Sequence, residues 1–196
     1  MKRIIELVIA SLSLILLSPV LLAIAIVIRL RLGSPVIFRT IRPGLYGKAF
    51  CMYKFRTMTN ECDATGKLLP NKQRVTKLGE FLRHSSLDEL PQLVNVIKGE
   101  MSLVGPRPLV MEYLPLYSAE QFRRHHVKPG ITGWAQINGR TSVSWKEKFE
   151  LDVWYVDHHS FSLDMWILWL TILKVFTHSD GNSTGETEYG DFSGSN

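Results

Sequence analysis

The clearest pattern along the chain is an apolar block near its start. From Leu7 to Ile28, 22 residues, no side chain is charged. About 20 helical residues cross a bilayer core, so the block reads as a membrane helix. It has no small-residue cleavage site ahead of its basic flank, which argues against a secretory leader. Ser18-Pro19 falls mid-block, and proline removes a backbone donor and crowds the preceding turn, so a bend or break is predicted there. Lys2 and Arg3 precede the block, while Arg29, Arg31, Arg39 and Arg42 follow it. Basic flanks favour the cytoplasmic side, and here both ends do. A re-entrant helix bent at Ser18-Pro19 satisfies both; an ordinary span with a tolerated proline is the alternative.

Beyond the block, Val36-Ile37-Phe38 and Phe50 to Phe55 flank the turn-rich Arg42-Pro43-Gly44-Leu45-Tyr46-Gly47, which predicts a short β-hairpin. Asn60 to Asn71 is polar and reads as a loop. Arg74 to His84 carries Val75, Leu78 and Leu82 on one helical face. Met111 to His126 reads as a helix with a basic end, and Pro129 to Arg140 as a turn-rich loop of the kind that binds ligands. Trp145 to Tyr155 is a further helix. Phe161 to Phe176 is apolar but too short to span; it lies at the membrane interface, with Trp166 and Trp169 at headgroup depth, or is a buried core helix. The last residues, from Thr177, are rich in Gly, Ser, Thr and acidic types and read as a flexible tail. The fold class is α+β, mostly α.

The chemistry concentrates between Ser86 and Pro108. Asp88 and Glu89 open an apolar run, and Ser86 with Glu89 has capping-box spacing. Alternatively Asp88 caps a helix whose first turn holds Pro91. Either register leaves a carboxylate at a helix N-terminus, where backbone N–H groups also attract phosphate; taken by itself, this stretch is explained by capping. Arg107 is fixed between Pro106 and Pro108, a rigid setting suited to bidentate phosphate contact. Lys54 and Arg56 point to one face of an extended strand and form either a diphosphate grip or a solvated basic edge. Arg83 closes its helix near Asp88, as a dipole partner or a phosphate ligand. Arg140 is a candidate for the nucleotide end, and Trp134 reads as packing or ligand contact.

Composition narrows the partners. Hydrophobic residues at 45% and charged residues at 21% exclude a largely disordered chain. A formal charge of +5 favours an anionic partner, but the basic residues do not interleave with a stacking platform, which disfavours nucleic acid. Cys51 and Cys62 lack metal or disulfide-framework spacing and read as reduced thiols; His125-His126 and His158-His159 lack metal spacing and read as surface or interfacial residues.

Ser18-Pro19, Lys54-Phe55-Arg56-Thr57-Met58, Ser86 to Gln92, Gly99 to Pro108 and Pro129 to Arg140, in this order, resemble the monotopic phosphoglycosyl transferases of bacterial glycoconjugate assembly. The chain looks like the small form of that family, without the extra membrane helices and domain of larger relatives. The resemblance implies a re-entrant membrane helix over residues 1–30, a cytoplasmic catalytic domain over 31–178, and a polar tail over 179–196. It implies ping-pong transfer: Asp88 attacks a UDP-sugar, releases UMP and holds a phosphosugar, which polyprenol phosphate then takes. Glu89 assists by orientation, metal binding or proton handling; Mg2+ is the expected cofactor, on Asp88 and Glu89. Lys54, Arg83 and Arg107 match family positions. The implied setting is the cytoplasmic face of the bacterial inner membrane, among phospholipid, with a homodimer possible and an N-acetylated UDP-hexosamine as donor. A non-catalytic membrane scaffold for anionic lipid or pathway enzymes is the competing class.

Overall fold

The computed structural model describes residues 2–139, 144–177 and 192–194. Helix α1 runs without a break from Lys2–Leu32, or about 46 Å at 1.5 Å per residue. The predicted break at Ser18-Pro19 is therefore absent, for a local reason. Pro19 has no N–H to offer the carbonyl of Ile15, and the Ser18 hydroxyl donates to that oxygen instead at 2.7 Å.

Both ends of α1 dock on the rest of the chain. Near its start, Arg3 donates to the carbonyls of Val96 and Ile97 at 2.7 and 3.0 Å. Lys2 pairs with Asp164 at 2.7 Å, and buried Glu6 accepts from the Ser102 hydroxyl. Ala10 is buried in a core with Val96, Met101, Val104, Tyr155 and Ile167. Near its end, Ile28 is buried with Phe55 and Leu82. Between them Leu12, Ile15, Leu16, Val20, Leu22, Ile26 and Val27 are exposed. An apolar surface of this kind matches lipid better than water.

Strands β1 (Ile37–Pro43) and β2 (Ala49–Phe55) pair antiparallel with Phe38 opposite Lys54, as the hairpin reading predicts. Helix α2 (Asn71–Arg74) stops two residues short of Thr76, which caps α3 (Lys77–His84) through the Gly79 N–H. Helix α4 (Gln92–Lys98) packs under α1, and β3 (Ser102–Val104) runs parallel to β4 (Gly130–Thr132).

Met111 to His126 is not one helix. It is a 3-10 turn over Met111–Leu116, the short α5 (Ala119–Phe122) and a second 3-10 turn over Arg123–His126. Pro115 denies a helical donor, and Ser118 with Gln121 forms a capping box that starts a new helix. The stretch read as a loop holds both β4 and α6 (Trp134–Asn138).

Helix α7 (Trp145–His158) follows, with its own capping box at Ser144 and Glu147. Helix α8 (Phe161–Thr177) buries Ile167 and Asp164 and exposes Phe161, Trp166, Trp169, Ile172 and Leu173. It is thus two-faced rather than wholly core. Most of the tail lies outside the described residues, but Phe192 is buried against Trp145, Phe149, Tyr113 and Tyr117, so the tail reading does not extend to it.

Gly79 brings α3 against the chain at Thr57: a Cβ there would sit 2.0 Å from the Thr57 carbonyl oxygen. Alanine has better helix propensity than glycine by ~1 kcal/mol, yet the contact reverses the sign. Gly79→Ala is expected to lower the thermal midpoint by several degrees, about 1–3 kcal/mol of overpacking, in melts of the detergent-solubilised protein. An unchanged or raised midpoint would contradict the contact.

Candidate active site

Asp88 and Glu89 lie in a 3-10 turn, Leu87–Glu89, entered through Ser86 in the left-handed region at φ 55°. Neither capping arrangement forms. Ser86 makes no side-chain cap bond, and α4 begins after Pro91 with no side-chain cap. The turn instead presents the two carboxylates to different surroundings.

Glu89 is neutralised by two cations. Lys54 Nζ lies 2.7 Å from its Oε1; Arg107 reaches the same oxygen at 2.5 Å and Oε2 at 3.1 Å. Burial alone would raise Glu89, but Arg107 and Lys54 outweigh it and hold the carboxyl down to about 2. Asp88 is only 7% exposed, and among the described residues its carboxylate accepts no hydrogen bond. Burial first, and the Glu89 charge second, push it up to about 6. At neutral pH roughly nine-tenths of it is still ionised. The adjacent carboxylates therefore divide: one is a fixed counterion, the other a carboxylate with oxygens free to react.

Three elements place these groups. β2 carries Lys54, and α4 is tied to the free edge of β2 by Asn95, whose side-chain amide donates to Cys51 O at 2.7 Å and accepts from Tyr53 N at 3.1 Å. Asn95 is fully buried and also donates to Glu100 at 2.6 Å. Arg107 is held through its main chain: Arg124 donates to the Arg107 carbonyl at 2.7 Å while pairing with buried Asp152 at 2.7 Å. Gly105 lets this segment meet the Lys128-Pro129 backbone, since a Cβ there would lie 2.3 Å from Lys128 O.

The other sequence candidates separate. Arg83 sits at the end of α3 and donates from Nε to Thr57 at 3.0 Å, near enough to Asp88 to lower it. Arg56 is buried and donates to Met58 O and Ser34 O at 2.9 Å each, so it ties the hairpin to α1's exit rather than joining Lys54 on an open face. Its position just past the end of β2 removes the alternation that the strand reading assumed. Trp134 stacks on Trp154 with centroids 4.7 Å apart, which is the packing reading. His125 is buried with Nδ1 3.2 Å from Gly44 O, contrary to a surface role, whereas His158 and His159 are exposed. Arg140 lies outside the described residues.

Among the described residues no group of three or more His, Cys, Asp or Glu side chains is placed to hold a metal. Glu89 has both oxygens engaged by cations. Asp88 is the carboxylate open to a divalent cation, and a hard ion such as Mg2+ commonly takes one carboxylate and completes its shell from phosphates and water.

The division between the two carboxylates predicts opposite effects on stability. The folded Asp88 value lies above its ordinary 3.8. Its charge therefore costs stability, increasingly as pH rises from about 4 to 6, and Asp88→Asn should raise the thermal midpoint at pH 7 by the equivalent of about 1–3 kcal/mol. Glu89 lies below its ordinary 4.5, so its contribution is present above that value and is lost as pH falls toward 2. Glu89→Gln should lower the midpoint by about 3 kcal/mol or more, because two buried cations lose their counterion. Paired melts at pH 7 check the sign, and a drop for Asp88→Asn would refute the assignment.

Comparison with known proteins accords with this geometry. The family model described as bacterial sugar transferase matches residues 1–178. A Bacillus subtilis protein named as the uncharacterized sugar transferase EpsL is 56% identical over 195 residues, covering 100% of this chain and 96% of its own. A Klebsiella pneumoniae UDP-glucose:undecaprenyl-phosphate glucose-1-phosphate transferase is 44% identical, with 89% of this chain matching 40% of that one. A Salmonella typhimurium undecaprenyl-phosphate galactose phosphotransferase is 37% identical over 92% of this chain and 41% of its own. The chain thus spans about two-fifths of the relatives with named substrates and nearly all of the Bacillus one. With the match covering α1 and every element of the site, the chain belongs to the bacterial sugar transferase family.

Proposed function

We propose that this enzyme moves a sugar phosphate from a UDP-sugar to polyprenol phosphate through a covalent phosphosugar on Asp88. The observation that carries the reading is the buried Asp88 carboxylate, unpartnered among the described residues, beside a Glu89 already neutralised by Lys54 and Arg107. An anionic nucleophile approaching a diphosphate meets like charge, and the surrounding cations offset it. An Asp88 oxygen attacks the β-phosphorus, and the bond to the bridging oxygen breaks with its electron pair leaving on UMP. The polyprenol phosphate oxygen then attacks the same phosphorus, and the carboxylate is regenerated. Asp88 would hold a divalent cation such as Mg2+, which would supply further charge neutralisation. Glu89 fixes Lys54 and Arg107 in place and keeps Asp88 from being overwhelmed by positive charge.

The named relatives handle glucose and galactose phosphates, so UDP-glucose and UDP-galactose are the first donors to assay, ahead of the N-acetylated hexosamine suggested by resemblance. The docking of both ends of α1 on one domain supports a helix that enters the membrane without crossing it. The cytoplasmic face is the side favoured by the basic flanks, and the product would serve as the lipid-linked starter of a glycoconjugate.

The wild-type protein should release UMP before acceptor is added and gain one phosphosugar in mass at Asp88. Full turnover by Asp88→Asn would sink the covalent mechanism. UMP release should rise with pH through about 6 as Asp88 ionises. In Glu89→Gln this limb should move to lower pH, because a like charge is gone and two cations turn toward Asp88. For topology, single cysteines near residues 2 and 31, in a Cys51→Ser, Cys62→Ser background, should label from the same side; labelling from opposite sides would refute the re-entrant helix.

A further inference from the structure

The sequence from Thr177 onward is small, polar and acidic apart from Tyr189 and Phe192. Phe192 is nevertheless only 3% exposed. Four rings surround it, with centroids 5.0 Å away for Phe149, 5.6 Å for Tyr113, 5.7 Å for Trp145 and 5.8 Å for Tyr117. Phe149 and Tyr113 meet it edge-on, and Tyr117 stacks on it at 29°. Both geometries are attractive beyond the burial of their area. Its backbone N–H donates to the Tyr113 hydroxyl at 3.2 Å.

Two of these rings also hold a cation. The Arg124 guanidinium carbon lies 5.6 Å over Phe149 and 5.9 Å over Tyr117. The same guanidinium pairs with Asp152 at 2.7 Å and donates to the Arg107 carbonyl at 2.7 Å. Leu109 is buried in one cluster with Phe192, Trp145 and Phe149, and only Pro108 separates it from Arg107. The aromatic wall therefore reaches Arg107 along two lines. One runs through Arg124 to its carbonyl; the other runs through Leu109 and the stiff proline. Arg107 then meets Glu89.

We propose that Phe192 is a positioning residue of the phosphotransfer: it fills the aromatic wall that fixes Arg124 and Leu109, and through them sets where the Arg107 guanidinium stands. The inference rests on the phosphotransfer reading and adds to it a residue from beyond α8. Without the ring, Phe149 and Tyr117 relax into the gap, and the faces under Arg124 move with them. A cation that must be in place before charge develops is sensitive to such a shift. Phe192 touches Arg107 only through these neighbours, so the loss falls on rate rather than on donor binding.

The test follows UMP release by the full-length protein in detergent, without acceptor, from whichever of UDP-glucose and UDP-galactose the wild type uses. Phe192→Ala should lower the rate at saturating donor about tenfold and leave the KM within about threefold. Phe192→Leu, which keeps most of the volume, should stay within about twofold of wild type, and Phe192→Val should lose about three- to fivefold. In an Arg107→Gln background each of these changes should cost less than about twofold, because the group being positioned is gone. The valine variant carries this comparison if the alanine variant does not fold. An equal loss in both backgrounds is general damage to the fold and would overturn the proposal, as would wild-type rates for Phe192→Ala. A faster Phe192→Ala with a lowered KM would also overturn it, since the ring would then occupy a place that the nucleobase takes. If the wild-type protein releases no UMP, the phosphotransfer reading itself fails, and that result is distinct from a loss confined to the variants.

Discussion

Glu89 is clamped between Lys54 and Arg107, and the rest of the site depends on that clamp. It joins three elements at one point: the hairpin strand β2, the 3-10 turn before α4, and the proline-bounded segment after β3. By drawing both cations to itself, Glu89 leaves Asp88 in a buried position with its charge only partly compensated. A carboxylate in such surroundings is a better nucleophile than one tied into hydrogen bonds, and the fold carries the cost through the packing around it. The more distant Arg124–Asp152 pair serves the same end by fixing the backbone of Arg107.

The membrane helix is integrated with this site rather than appended to it. Arg3 closes the carbonyl end of α4, whose start follows the acidic turn, and Ile28 packs with Leu82 one residue before Arg83. The two ends of α1 thus contact the elements on both sides of Asp88. The exposed row on α8, with Trp166 and Trp169, adds a second apolar surface on the same core as the first half of α1.

What the sequence makes legible follows from the range of the forces involved. The apolar block, the hairpin, α3, α7 and α8 are written in local periodicity and were all readable. Lys54, Arg83 and Arg107 were readable as phosphate candidates from residue type and position, whereas the role of Asp88 and Glu89 came from the family resemblance, their spacing alone reading as a cap. The Asp88–Glu89 capping register was not correct, since Ser86 adopts a left-handed backbone that no spacing rule signals. The strand pair β3 and β4 is too short for alternation to register, and the region around Pro115 and Ser118 has the apolar content of a helix without its donors. Arg124 sat in a run of basic residues read only as a basic helix end; its partner Asp152 is 28 positions away, beyond any local pattern. Arg56 misled because strand alternation was extended one residue past the strand.

Asn95 closes the open edge of β2 with a single side chain, supplying one acceptor and one donor where a third strand would otherwise add its backbone. The hairpin is thus a two-stranded sheet whose β2 edge is occupied by an amide carried on α4. Space that a broader sheet would fill with backbone is left for the acidic turn that carries Asp88 and Glu89.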